Sequence, residues 1–196
     1  MTELIQTQTE KTVDYAHILA DLQFAVNSTP AAGLGSLSKT LTNIIEQLAI
    51  IPDTIKSSVY TILKELPNGE AMCHWDFHAS NIIMSLKGPF IIDWMGAKKG
   101  DPLADVAKTW SIYTDYTVPS EIPTYETLEN NYGPFLAAYL KRYFKRGTIP
   151  FETLELWKVP IIANRIFEVG FHPSAAEKQE LILSRLRKQL SLVRRS

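Results

Sequence analysis

The sequence is poor in the features that would announce a compartment or a partner. It has one cysteine, Cys73, so no internal disulfide can form, and a lone thiol fits a reducing compartment. Twenty lysines and arginines stand against 21 acidic residues, a net charge of −1, which leaves no electrostatic footprint for nucleic acid. No apolar run approaches the roughly 20 residues that span a bilayer, so no membrane association is expected. The opening MTELIQTQTEKT has neither the basic start nor the apolar core of a secretion signal, and a cytoplasmic protein is the expectation. For the same reason the NST triplet at Asn27 carries no weight as a glycosylation acceptor. Closely spaced glycines are scarce too. Gly33 and Gly35 in AAGLGSLS lie between two helical patterns with no strand before them, and read as an interhelical loop, not a phosphate cradle.

What is present is an ordinary globular composition, 45% hydrophobic and 21% charged, in a length that suits one large domain or two small ones. Three amphipathic helices are predicted first. Their apolar faces are Tyr15, Ile18, Leu19, Leu22 and Val26, then Leu37, Leu41, Ile44, Ile45 and Leu48, then Ile55, Val59, Ile62, Leu63 and Leu66. The connectors are STPAAGLGS and IIPD, with Asp53 placed to cap the third helix, and LPNGE ends the run. The stretches NIIM and PFIID, separated by SLKG, predict a β-hairpin with Gly88 at its turn. Helical spacing resumes after Pro102 in LADVAKTWSIY, and continues over about 125–145, 151–169 and 173 to the end, with Pro160 expected to kink the middle piece. The basic end RLRKQLSLVRR carries Leu186, Leu190 and Val193 on one face, so its cations read as the solvated side of a helix C-terminus favoured by the dipole. The fold class is therefore mainly α with one small β-hairpin. A polar N-terminal segment, 1–12, precedes a single domain, 13–196.

Polar chemistry is concentrated between Cys73 and Trp110, which hold two of the four histidines and three of the four tryptophans. Phosphoryl transfer needs a carboxylate to orient and deprotonate the attacking hydroxyl, and hard oxygen ligands for magnesium. Asp76 leaves a loop, Asn81 opens the first strand of the hairpin and Asp93 closes the second. A tight hairpin then sets Asn81 and Asp93 side by side at one end of the ladder, with Asp76 facing the same space. Singly, each residue has a plainer reading: Asp76 caps a turn, Asn81 satisfies hairpin backbone, Asp93 accepts from the turn at Gly96. A zinc hydrolase is a further reading, because His74, Asp76 and His78 recur at period two. It wants more histidines, and only His17 and His172 remain, both in helical contexts.

HWDFHASN resembles the H-x-D-x-x-x-x-N catalytic loop of protein kinases and antibiotic kinases. IIDWMGAKKGDPLADVA resembles the segment that follows it in the aminoglycoside phosphotransferase and choline kinase group, where the usual form is close to H-G-D-x-H-x-x-N, then I-D-W, then G-D-P-x-x-D-x-A. The resemblance spans roughly residues 13 to 190. It implies Asp76 as catalytic base, Asn81 and Asp93 as magnesium ligands, and His74 as a residue that bonds the loop into shape. It implies Asp105 as a brace of that loop from the following helix. His78 matches the family's second histidine and takes no role, Trp75 stands at the site's edge where glycine is usual, and Ala79 replaces a frequent proline. Mg²⁺ and ATP are the implied cofactors, and a hydroxyl of a small molecule the implied acceptor.

The resemblance also marks a gap. Kinase-like folds carry an N-terminal β lobe with a glycine-rich loop and a phosphate-pairing lysine, and such a lobe has on the order of 80 to 100 residues. Here only about a dozen residues precede the first helix. The expectation is the helical C-terminal lobe of a protein-kinase-like α+β fold, with the β lobe absent. The uncovered face would then invite a partner that supplies the lobe, or self-association. Two readings stay open: a Mg-ATP-dependent small-molecule kinase, and a non-catalytic orphan lobe acting as a binding protein. Asp115, Glu121, Glu126, Glu129 and Glu168 fall on helices that would line the acceptor side. They suit a cationic acceptor such as an aminoglycoside or choline, or form a solvated face.

Overall fold

The computed structural model describes residues 1–114, 125–147, 150–171 and 174–194, with backbone alone at 125–132. In chain order the elements are α1 (Thr2–Thr7), α2 (Thr12–Asn27), α3 (Leu37–Gln47), α4 (Asp53–Glu65), β1 (Ala71–Cys73), β2 (Ile82–Ser85), β3 (Gly88–Ile91), β4 (Lys98–Gly100), α5 (Pro102–Tyr113), α6 (Tyr125–Arg146), α7 (Phe151–Val169) and α8 (Ala175–Val193). The chain is mostly helical, as its periodicities predict.

Local chemistry explains most boundaries. Ser36 caps α3 by accepting from the Lys39 N–H. Asp101 caps α5 the same way, taking the Leu103 N–H at 2.9 Å, with Pro102 at the first helical position, where its missing N–H costs nothing. Asp53 does not cap α4. Pro52 occupies the cap and Asp53 is the first helical residue, its charge in the first turn where the helix dipole favours it. α7 runs as one element through Pro160.

α2 packs along α6, and α7 packs against both α5 and α8. α7 is the central helix: Leu154, Trp157, Val159, Ile161, Ile162 and Ile166 are buried around its whole circumference. Leu186 and Leu190 of α8 are buried as their spacing predicts. The basic residues of α8 are not in its last turn, however, so the helix dipole does not account for them.

Two small antiparallel sheets shape the polar region. β2 and β3 form the expected hairpin, with Ile82 opposite Ile91, a two-residue turn at Leu86 and Lys87, and Gly88 just beyond it at φ +109°. Ile83 and Phe90 pair on its outer side and are half exposed, beside the fully exposed Leu86. The second sheet pairs β1 with β4, Ala71 opposite Gly100 and Cys73 opposite Lys98. Two glycines permit it. A Cβ on Gly69, at φ +64°, would meet the Gly100 carbonyl at 2.3 Å, and one on Gly100 would meet Leu37 at 2.8 Å. This pairing sets the residues after β1 against the start of α5. The N-terminal segment seals the hairpin's base: Ile5 is buried, and the Met1 ammonium donates to the Ile82 carbonyl at 2.8 Å. Among the described residues no helix is long and apolar enough to cross a membrane.

Cys73 is fully buried, and burial first, then the Asp105 and Asp101 charges, push its thiol far above the usual range. No thiol should therefore titrate with a disulfide reagent in the native protein, and one equivalent should titrate after denaturation.

Candidate active site

The loop from His74 to Asn81 starts where β1 ends and is held by its own first side chain. His74 is fully buried. Its Nε2–H donates to the Ile92 carbonyl at 2.9 Å and its Nδ1 accepts the Asp76 N–H at 3.3 Å, so one neutral tautomer satisfies both bonds. The ring therefore ties the base of the loop to the exit of β3. With both nitrogens engaged and the ring packed against Trp94 and Phe77, His74 has no nitrogen left for a zinc ion. The zinc reading thus loses its first ligand.

Asp105, one turn into α5, is also fully buried. Its Oδ1 accepts the Trp75 N–H at 2.7 Å, and its Oδ2 accepts the His74 N–H at 3.2 Å, Gln23 Nε2 at 3.0 Å and Asn27 Nδ2 at 3.0 Å. Four neutral donors thus converge on one carboxylate, two from the loop and two from α2. Gln23 and Asn27 are in turn held by Tyr139, at 2.5 Å, and Tyr143, at 2.8 Å, from α6. The network leaves no polar atom of these side chains stranded, which is the condition for a buried polar cluster to rigidify a fold. It also closes Asn27 to glycosylation, since the residue is buried. Trp75 sits at φ +72°, a left-handed conformation open to glycine and uncomfortable for other residues. That is the position where the resembling motif has glycine. The indole lies 5.6 Å from Lys108 Nζ, in cation–π reach.

Asp76 is partly exposed, and its Oδ2 is the anchored oxygen. Asn81 Nδ2 donates to it at 3.1 Å and to the Asp76 carbonyl at 2.9 Å. His78 Nε2 lies 3.4 Å away. His78 Nδ1 accepts the Ser80 N–H at 3.3 Å, so Nε2 carries the proton and donates toward Asp76. The His78 hydrogen bond, assisted by Asn81 and by the Lys108 charge, holds the Asp76 carboxyl below its ordinary range in spite of burial. Oδ1 of Asp76 has no protein partner among the described residues.

Asn81 ends a short turn and is opposite Ile92, whose N–H donates to the Asn81 carbonyl at 3.0 Å. Asp93 follows immediately, exposed and in a left-handed conformation (φ +61°, ψ +61°) that aspartate tolerates better than most residues. The ladder thus brings Asn81 within one residue of Asp93 without placing the two in direct register. The donor set suits magnesium, which binds one or two carboxylate-type oxygens and keeps several waters. Asn81 commits its amide nitrogen to Asp76 and retains its oxygen, and Asp93 is exposed and makes no capping bond. Among the described residues no three His, Cys, Asp or Glu side chains converge, so an all-protein cage of the zinc type is not built here.

Four supporting residues are invisible to motif spacing: Gln23, Asn27, Thr109, whose hydroxyl donates to the Phe77 carbonyl at 2.8 Å, and Lys108, paired with Glu168. The signal for the first two was their place on the apolar stripe of α2. Of the acidic residues expected on the acceptor side, Asp115 and Glu121 lie outside the described residues, as do the side chains of Glu126 and Glu129. Glu168 already accepts from Lys108, from Asn164 at 2.8 Å and from Arg165 at 3.0 Å, so it is no open receptor for a cationic substrate.

The fold has counterparts. The chain is similar in fold to a thermostable mutant of aminoglycoside phosphotransferase APH(4)-Ia in ternary complex with AMP-PNP and hygromycin B, at 16% identity and a TM-score of 0.61, covering 95% of this chain and 68% of that one. It is similar also to the apo form of a thermostable mutant of the same enzyme, at 18% identity and a TM-score of 0.57, covering 96% of this chain and 67% of that one. The chain thus spans about two thirds of these structures. No curated protein sequence matches it. The profile of the phosphotransferase enzyme family (APH) matches residues 41–148, more than half of the chain, and takes in the His74 loop, the hairpin and the Asp105 brace. With the loop, the hairpin exit and the helix that braces them all inside the matched region, the chain belongs to the phosphotransferase enzyme family.

Proposed function

We propose that this chain is the catalytic-loop-bearing lobe of a small-molecule kinase that transfers the γ-phosphoryl group of ATP to a hydroxyl. The observation that supports it most is the linkage of Asp76 and Asn81 by two hydrogen bonds from one amide nitrogen, with Ile92, the neighbour of Asp93, bonded to Asn81 and to the His74 ring. In this reading Asp76 Oδ1 accepts the acceptor's hydroxyl proton while Oδ2 stays fixed by Asn81 and His78. Its lowered pKa keeps it a carboxylate throughout the neutral range. Asn81 and Asp93 are the residues that would hold Mg²⁺, which when bound would supply positive charge against the donor's phosphate oxygens. His74 and Asp105 position the loop and touch no reactant. Magnesium-ATP would bind this lobe through Asn81 and Asp93, and full activity would also require a nucleotide-cradling lobe from another chain or an upstream segment.

The test is thermal stability with and without magnesium-ATP. A ligand that binds only the folded state at 100 times its Kd adds about 2.7 kcal/mol, which moves the midpoint of a chain this size by several degrees. Wild type should shift and Asp93→Ala should not; Asn81→Ala should lose the shift and some stability besides. If millimolar magnesium-ATP leaves wild type unmoved, this chain alone is not a nucleotide-binding kinase.

The second reading, a non-catalytic lobe that binds a partner, is favoured by the half-exposed Ile83 and Phe90 on the hairpin. It is distinguished by the same experiment, since it expects no shift with the nucleotide.

A further inference from the structure

Exposed apolar surface is concentrated at the hairpin. Of the 11 large hydrophobic side chains exposed among the described residues, six lie between 83 and 95: Ile83, Leu86, Phe90, Ile92, Trp94 and Met95. Ile83 pairs with Phe90, and Ile92 follows two residues after Phe90, so the period of two puts these three on the face turned away from the buried Ile82. They are 50%, 51% and 40% exposed. The free edge of β3 is blunted, because Pro89 has no N–H to give and the Ile91 carbonyl already accepts the Trp94 indole N–H at 3.0 Å. What stays open is the face.

Charge says what fits it. Residues 82–97 contain two charged side chains, Lys87 in the turn and Asp93 at the exit. Both are exposed, and neither is ion-paired among the described residues. Each stands three residues from Phe90, on opposite sides. A two-fold axis at Phe90 therefore brings Lys87 of each copy to Asp93 of the other, and the patch becomes its own complement, as an isologous interface requires. A partner carrying one sign of charge would leave one end unmatched. We propose that the outer face of the hairpin is an interface between two copies of this chain. They pack face to face about that axis, with Ile83, Phe90 and Ile92 at the centre and two Lys87–Asp93 pairs at the rim. Apolar patches of several hundred Å² mark interaction surfaces, and a standard interface uses about 800 Å² from each partner. Six exposed side chains supply an area at the small end of that range, so a dissociation constant in the micromolar range is expected. The interface uses no nucleotide and does not rest on the phosphotransferase reading, although Asp93 figures in both.

Sedimentation velocity without nucleotide, at low salt and up to about 200 µM chain, should show a monomer passing to a dimer. Phe90→Ser, which removes a central contact, should weaken the dimer about tenfold or more. Lys87→Glu and Asp93→Lys should each be monomeric alone, since each homodimer would then set like charges against one another at both ends. Mixed in equal amounts, these two variants should form a heterodimer, because both end contacts become attractive again. That recovery also shows that neither variant has lost its fold. A wild-type chain that stays monomeric throughout overturns the proposal and gives the face to a different polypeptide. A wild-type dimer that survives Phe90→Ser unweakened, or a mixture that does not associate, overturns it as well, because the contact then lies elsewhere or lacks this two-fold axis.

Discussion

Asp105→Ala is expected to destabilise the protein by about 3–5 kcal/mol, the range for breaking a buried charged cluster by removing one member. The carboxylate is fully buried and takes four hydrogen bonds, from the His74 and Trp75 amides and the Gln23 and Asn27 side chains. Alanine would strand all four donors at once, and each stranded buried group costs about 1–3 kcal/mol before water relaxes into the gap. Against a typical domain stability of about 5–15 kcal/mol, this is a large fraction. The melting temperature should fall by about 10 °C. Asp105→Asn should lose less, because it keeps the shape and one acceptor oxygen. A melting temperature within about 2 °C of wild type for the alanine variant would mean that the network does not hold the loop.

The second large effect is on turnover. Asp76→Asn keeps the volume and the contact to Asn81 but cannot take a proton, so acceptor-dependent release of ADP should fall by about 10²–10⁴-fold, the usual contribution of a general base. Stability should change little, since the Asp76 side chain is 46% exposed. The pH profile follows from the direction of its shift. The Asp76 pKa lies below the unfolded value, so the carboxylate favours the native state above the ordinary carboxylate range, and that preference is lost as pH falls through the lowered value. Across pH 5 to 9 its ionisation should therefore be constant, and any limb of the activity profile in that window must come from another group. Persistence of wild-type turnover in Asp76→Asn would remove it as the base.

How much of this was legible in the sequence depends on how far apart the cooperating residues lie. The helices of Tyr15, Leu41 and Val59 and the hairpin of Ile82 and Ile91 announce themselves through spacing within a dozen residues. The pairing of Ala71–Cys73 with Lys98–Gly100 does not, because three residues are too few to show alternation and the register is set by the close approach of Gly69 and Gly100. His74, Asp76, Asn81, Asp93 and Asp105 could be picked out as a motif. Their support could not, since Gln23 and Asn27 reach Asp105 from about 80 residues away. Polar side chains on an otherwise apolar helical stripe were the available signal. Charge placement left Glu168 open between a site for cationic ligands and a solvated face, and it is in fact occupied by Lys108 and Arg165.

Ile92 gives the site its mechanical character. Its amide hydrogen goes to Asn81 and its carbonyl to His74, so a single peptide neighbourhood couples the turn, the loop and the residue that follows it, Asp93. From Asp93 the backbone of Asp76 is reached through Ile92 and His74, over two hydrogen bonds and one buried ring. The loop and the hairpin exit should therefore open and close to hydrogen exchange as one cooperative unit, with the Ile92 and Asp76 amides sharing a common rate.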